Sequence, residues 1–124
     1  MNLSEIREQL LLLHKALMEY QKRTYESTVG PIQNPNHYYQ LVVNDESFAW
    51  LKTLSALVIS MDELLESKEA KTEAEINQIA KYTKTTLTTT GGGNGAFGTN
   101  YTEALKKDEA VAALHANLIK LLSV

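Results

Sequence analysis

Apolar side chains recur at alternating steps of four and three residues over the first 27 positions of the chain. This spacing matches the turn of an α-helix, so the apolar positions fall on one stripe and the charged positions on the other side. The stripe consists of Ile6, Leu10, Leu13, Leu17 and Tyr20. The pattern predicts a helix over 3–27, which ends before Gly30-Pro31 because proline cannot continue the hydrogen-bond ladder.

The next two predicted helices each begin at a capping residue. Asn34 is a good N-cap, and Pro35 at the first helical position loses no hydrogen bond, so a short helix is expected over 35–43. Asp45 caps a third helix over 46–67, whose apolar arc is wide enough for the central helix of a bundle. The arc consists of Trp50, Leu51, Leu54, Leu57, Val58, Met61, Leu64 and Leu65.

The C-terminal half also contains residues that typically begin or end helices. Thr72 and Glu75 form a capping box for a fourth helix, which the threonine run 85–90 is expected to weaken. The glycine-rich segment 91–98 is predicted to be a flexible loop, with Asn100 capping a short helix over 101–107. A last helix is expected over 109–122, either capped separately by Asp108 or continuous with the preceding helix through a kink.

All these periodicities are helical, so we predict an all-α fold. The expected architecture is an antiparallel four-helix-type bundle with one or two additional short helices, in a single domain over 1–124. A chain of 124 residues with 44% hydrophobic residues is long enough to bury one core. The most apolar segment, 48–61, contains Lys52 and is shorter than the roughly 20 residues that a membrane span needs.

Composition narrows the classes of function. The chain has no cysteine, which excludes disulfides and thiolate chemistry and is consistent with a reducing compartment. The net charge of −3 lacks the basic character of a nucleic-acid binder. We therefore expect a cytoplasmic protein that binds neither nucleic acid nor membrane and holds no cofactor.

One segment, Gly93 to Gly98, matches the GxGxxG pattern of dinucleotide sites. Such a site needs a preceding strand, a long following helix and an acidic residue about 20 positions on. The threonine run is a poor strand and the helix that follows is short, so we interpret the segment as a flexible connection.

Ionisable residues lie near several apolar stripes. His14 and His115 lie on or beside the stripes of the first and last helices, and Asp62 lies at the edge of the third. Together with Tyr20 they suggest a buried polar cluster, although each histidine could equally be half-buried with its polar edge in water. No histidine follows a glutamate at the three-residue spacing of di-iron bundles, so a metal would need side chains from separate helices.

Apolar residues on the outer sides of the predicted helices indicate that the chain associates with another protein chain. Phe48 and Ile59 fall on the outer side of the predicted third helix, and Leu12 falls on the polar side of the first. Tyr38 and Tyr39 add aromatic surface, which either lines an interface or closes one end of the core. We expect a non-enzymatic domain that forms a homodimer or binds a protein partner. The alternative is a small-ligand or metal-binding bundle in which His14, Asp62 and His115 converge.

The chain also resembles a family of small bacterial helical proteins of unknown function. The resemblance covers most of the chain and rests on these stretches: Leu13-His14-Lys15-Ala16-Leu17, Gly30-Pro31-Ile32, Phe48-Ala49-Trp50-Leu51, Leu54-Ser55, Met61-Asp62-Glu63, Phe97, Tyr101-Thr102-Glu103-Ala104-Leu105 and Leu114-His115. It implies an all-α fold and a bacterial source, and no activity. The extra glycines at 91–93 depart from the family pattern.

Overall fold

Seven α-helices and no strand make up the residues that the computed structural model describes, 2–67, 72–88 and 96–123. The helices are α1 (Leu3–Thr28), α2 (Pro35–Asn44), α3 (Glu46–Ala49), α4 (Lys52–Glu66), α5 (Glu73–Thr88), α6 (Ala96–Lys107) and α7 (Glu109–Leu122). The prediction of an all-α fold is confirmed. Within these ranges, no helix has the length and apolar character that crossing a membrane requires.

The predicted caps begin four of the helices, and one of them is Asp45, whose side chain accepts from the Ser47 backbone N–H at 2.9 Å and starts α3. The Asn34 side chain accepts a hydrogen bond from the backbone N–H of His37 at 2.8 Å and starts α2. The Asp108 side chain accepts from the backbone N–H groups of Ala110 and Val111, at 2.9 and 3.2 Å. Asp108 has extended backbone angles, so α6 and α7 are two helices and not one kinked helix. At α5, the Thr72 hydroxyl accepts from the Glu75 backbone N–H at 3.1 Å.

The predicted third helix is instead two helices, α3 and α4, joined by a tight turn. Trp50 and Leu51 have ψ angles of −23° and −19°, and the Leu51 N–H donates to the carbonyl of Phe48 at 3.2 Å. This is the three-residue spacing of a 3₁₀ turn, which rotates successive side chains further around the axis than an α-helix does. A single helical wheel therefore does not hold across Trp50.

The turn corrects the predicted position of Phe48. Its side chain is 1% exposed and belongs to the core, so the prediction that it lies on the outer side is wrong. Ile59 follows the turn on α4 and is 56% exposed, as the helical pattern predicts. The physical reason for the difference is that Phe48 precedes the turn and Ile59 follows it.

The threonine-rich segment stays helical as far as Thr88. The hydroxyls of Thr83, Thr86 and Thr88 each donate to the carbonyl four residues earlier, at 2.8, 2.9 and 2.7 Å. These local bonds satisfy the hydroxyl donors within the helix.

The helix after the glycine-rich segment begins earlier than predicted. Because α6 starts at Ala96, Asn100 lies inside the helix and does not cap it. Phe97 is buried against the rings of Trp50 and Tyr101, which extends the helix towards its N-terminus. Residues 91–95, which carry most of the predicted loop and the first glycines of the GxGxxG match, lie outside the described residues.

The centre of the fold is α1. It packs against α3, α4 and α7, while α7 also packs against α5 and α6. The stripe residues Leu10, Leu13 and Leu17 of α1 are completely buried, which corrects the prediction that the third helix is central. The antiparallel four-helix arrangement stays a prediction.

Candidate functional site

His14 and Asp62, two members of the predicted polar cluster, have separate partners. His14 Nε2 lies 2.9 Å from the Ser55 hydroxyl, across the contact between α1 and α4. The ring is more than half buried, and this desolvation lowers the pKa of His14. Asp62 Oδ1 accepts from Nε of Arg7 at 2.7 Å, in an ion pair that is about one-third exposed.

The other two members lie elsewhere in the fold. His115 Nδ1 lies 2.6 Å from the Tyr101 hydroxyl, across the contact between α6 and α7. Burial lowers the pKa of His115 and raises the pKa of Tyr101, so both groups are neutral at neutral pH. Tyr20 lines a cleft between α1, α3 and α6. The hydrogen bonds thus divide the four residues and do not join them into one cluster.

This division bears on the predicted metal site. In the described part of the chain, no group of three or more histidine, aspartate or glutamate side chains is arranged to hold a metal ion. His14, Asp62 and His115 are engaged with Ser55, Arg7 and Tyr101 respectively. Each of these three polar contacts joins two different helices.

A buried row of rings links α6 to its neighbours, and the sequence analysis did not identify it. The Phe97 ring stacks on the Tyr101 ring at 5.2 Å between centroids, with the planes inclined by 14°. Phe97 also lies 6.1 Å from Trp50, whose indole N–H donates to Gln21 Oε1 at 3.2 Å. The signal for Gln21 was its position, four residues after Leu17 on the buried stripe of α1.

The predicted interface residues divide into exposed and buried sets. Leu12, Tyr39 and Ile59 are 44%, 62% and 56% exposed and lie on three different helices. Tyr38 is only half-buried but packs edge-on against Phe48, with centroids 6.1 Å apart. Tyr38 and Phe48 therefore contribute to the core, as the alternative interpretation of the aromatic group expects.

A groove with an apolar floor lies between α4 and α5. These two helices make little direct contact with each other, and a volume of about 900 Å³ separates them. Its α4 wall is a helical stripe of small and apolar side chains, which includes Thr53, Ala56, Leu57, Ser60 and Leu64.

The α5 wall of this groove has the same periodicity. Gln78, Ile79 and Tyr82 lie at helical spacing along it, and Tyr82 is 64% exposed. Among the described residues, the charged side chains that line the groove are Glu63 and Glu75. Two helical stripes with an apolar floor between them form the kind of surface that accepts an amphipathic helix. Helical periodicity does not predict this groove, because the groove depends on how two helices are placed relative to each other.

Comparisons with known proteins found no match to a protein-family model, to a curated protein or to a solved structure. The resemblance to a bacterial helical family therefore stays a prediction.

Proposed function

We propose that this chain functions through protein association and forms a homodimer. In this dimer the exposed side of α2 in each copy docks in the α4–α5 groove of the other copy. The observation that carries the proposal is the groove itself, whose two helical walls border a volume of about 900 Å³ beside buried Leu57.

The composition of α2 fits an interface. Its ten residues include no aspartate, glutamate, lysine or arginine, although charged residues make up 22% of the chain. Tyr39 and Val43 are both exposed and lie four residues apart, so they form a short apolar stripe. Depletion of charge together with exposed tyrosine is the compositional mark of interface cores.

The charge of α2 is compatible with the groove. The groove is lined by Glu63 and Glu75, and α2 has no carboxylate that these would repel.

The proposed dimer is symmetric. When α2 of one copy occupies the groove of the second, α2 of the second occupies the groove of the first. Such an isologous interface closes on itself, so association stops at two copies and does not continue into fibres.

A pair of complementary variants tests this geometry. Tyr39→Asp on α2 and Tyr82→Lys on α5 change side chains that are mostly exposed, so both variants are expected to fold. Each variant alone should be monomeric. An equimolar mixture should form a heterodimer, since Asp in one copy meets Lys in the other while the second interface keeps both tyrosines.

The control is Val29→Asp, at a residue that is 69% exposed and lies outside both surfaces, and this variant should stay dimeric. Analytical ultracentrifugation of each variant and of the mixture measures these states. A Tyr39→Asp variant that remains dimeric, or a mixture that contains only monomers, would overturn the proposed interface. A cytoplasmic location, which the absence of cysteine favours, is part of the same proposal.

A further inference from the structure

A second cleft lies between the C-terminal half of α1, the short helix α3 and α6. Its volume is about 1,010 Å³, which is enough for a small polar molecule. None of its lining residues belongs to α2, α4 or α5, so its properties do not depend on the proposed dimer.

The floor of this cleft carries a buried amide with a free donor group. Gln21 is 6% exposed, and its Oε1 accepts from the indole N–H of Trp50 at 3.2 Å. Because an indole N–H only donates, this bond fixes the orientation of the amide and turns Nε2 away from Trp50. No protein group within the described ranges accepts a hydrogen bond from Nε2. Every completely buried polar side-chain atom in these ranges has a hydrogen-bond partner, so Nε2 is not completely buried. Nε2 is therefore open to the cleft that Gln21 lines.

The hydroxyls along the α1 wall have the opposite character. Thr24, Ser27 and Thr28 each donate to a backbone carbonyl of α1, at 3.0, 3.0 and 2.7 Å. These three residues line the cleft, and their hydroxyl oxygens have lone pairs to offer but no proton left to donate. A ligand that bonds to this wall must donate, whereas at Gln21 it must accept.

The charges that line the cleft determine which ligands with both donor and acceptor groups are favoured. The lining includes the carboxylates of Asp45, Glu46 and Glu103 and the ammonium of Lys107. Lys107 is engaged with Glu103 at 2.6 Å, which leaves the charges of Asp45 and Glu46 uncompensated within the lining. Hydrogen bonds from the Ser47 hydroxyl and backbone N–H lower the pKa of Asp45 and keep it ionised. Anionic ligands are therefore disfavoured and cationic ones favoured.

We propose that this cleft binds a small cationic polyol, of the amino-sugar or amino-alcohol class. The ammonium group lies near Asp45 and Glu46, a hydroxyl oxygen accepts from Gln21 Nε2, and further hydroxyls donate to Thr24. The same hydroxyl groups can satisfy both the donor on the floor and the acceptors on the wall.

Three probes that share a pyranose ring test the charge rule: glucosamine as the cation, glucose as the neutral analogue and glucuronate as the anion. The chain has one tryptophan, so a single indole N–H resonance reports directly on the Gln21 contact. A titration followed by NMR should shift this resonance saturably with glucosamine, less with glucose and not with glucuronate. Equal binding of all three probes, or no shift with glucosamine at its solubility limit, would overturn the proposal.

Two sets of variants test the carboxylates of the site and the Gln21 amide separately. Asp45→Asn with Glu46→Gln keeps the α3 cap and should weaken glucosamine binding about tenfold while leaving glucose binding unchanged. Gln21→Met with Trp50→Phe removes both hydrogen-bonding partners together, which avoids an orphaned indole, and should weaken both sugars about fivefold. Ligand-observed NMR measures these affinities without the indole signal.

The matched control is Glu8→Gln, an exposed carboxylate in the N-terminal half of α1. It should bind glucosamine as the unmodified chain does. Glucosamine binding that survives the Asp45→Asn, Glu46→Gln change undiminished, or that falls equally in Glu8→Gln, would show that the cleft is not the site.

Discussion

The Tyr101 hydroxyl and His115 Nδ1 lie 2.6 Å apart and join α6 to α7. Tyr101 is completely buried and His115 is about half-buried. Burial raises the pKa of Tyr101, so the phenol keeps its proton and can donate it to Nδ1 of His115 when that nitrogen is unprotonated. Burial also lowers the pKa of His115, which favours the uncharged form of the imidazole.

Stability is predicted to fall as the pH drops through 6.5. Burial lowers the pKa of both His14 and His115 from the ordinary value of 6.5, so the unfolded chain binds protons more readily than the folded chain. Their contribution is complete above 6.5 and is lost as the pH falls through that value towards the pKa of the folded state. Urea unfolding at a series of pH values measures the change.

The double variant His14→Gln, His115→Gln is the control for this effect. Its unfolding free energy should be nearly constant from neutral pH to about pH 5, because the carboxylates titrate lower. The pKa values of Asp45 and Glu103 are both lowered, by hydrogen bonds from Ser47 and from Lys107. An unmodified chain as flat as the double variant would contradict the account.

Tyr101→Phe should lower the free energy of unfolding by about 1 kcal/mol, because it removes the interhelical hydrogen bond and keeps the ring stacked on Phe97. Tyr82→Phe deletes the same atom from an exposed ring and should change stability by less than about 0.5 kcal/mol. Chemical denaturation of the two variants measures the difference. Equal losses would show that the Tyr101 contact contributes nothing specific.

The starts of helices were predictable from the sequence where a capping residue within three positions determines them. Asn34, Thr72 and Asp108 satisfy backbone N–H groups within three residues, so their helices begin where the sequence predicts. The break at Trp50 was not predictable, because no proline or glycine marks it. It depends on tertiary packing that buries Phe48 on one side and Leu54 on the other.

The candidate sites depend on contacts between residues that are far apart in the sequence, and helical periodicity does not predict such contacts. Helical spacing placed His14 and Asp62 beside apolar stripes, yet their partners Ser55 and Arg7 lie 41 and 55 residues away in the chain. The same holds for Gln21, whose bond to Trp50 spans 29 residues. A stripe indicates which side chains are buried, whereas helix packing decides what they meet.

Phe48→Ala should destabilise the chain by about 3–5 kcal/mol, because it leaves a cavity among the Tyr25 and Tyr38 rings. Ile59→Ala truncates an exposed side chain and should cost less than about 0.5 kcal/mol. Thermal and urea unfolding distinguish the two. Similar small losses would restore the outward position of Phe48 that the single helical wheel predicts.

The most direct test of the account is the molar mass of the purified chain, measured by light scattering during size-exclusion chromatography over a range of concentrations. The proposed dimer predicts a mass twice that of the 13.8 kDa chain, which Tyr39→Asp reduces to the monomer value. A mass of 13.8 kDa at every concentration would contradict association of this chain with itself.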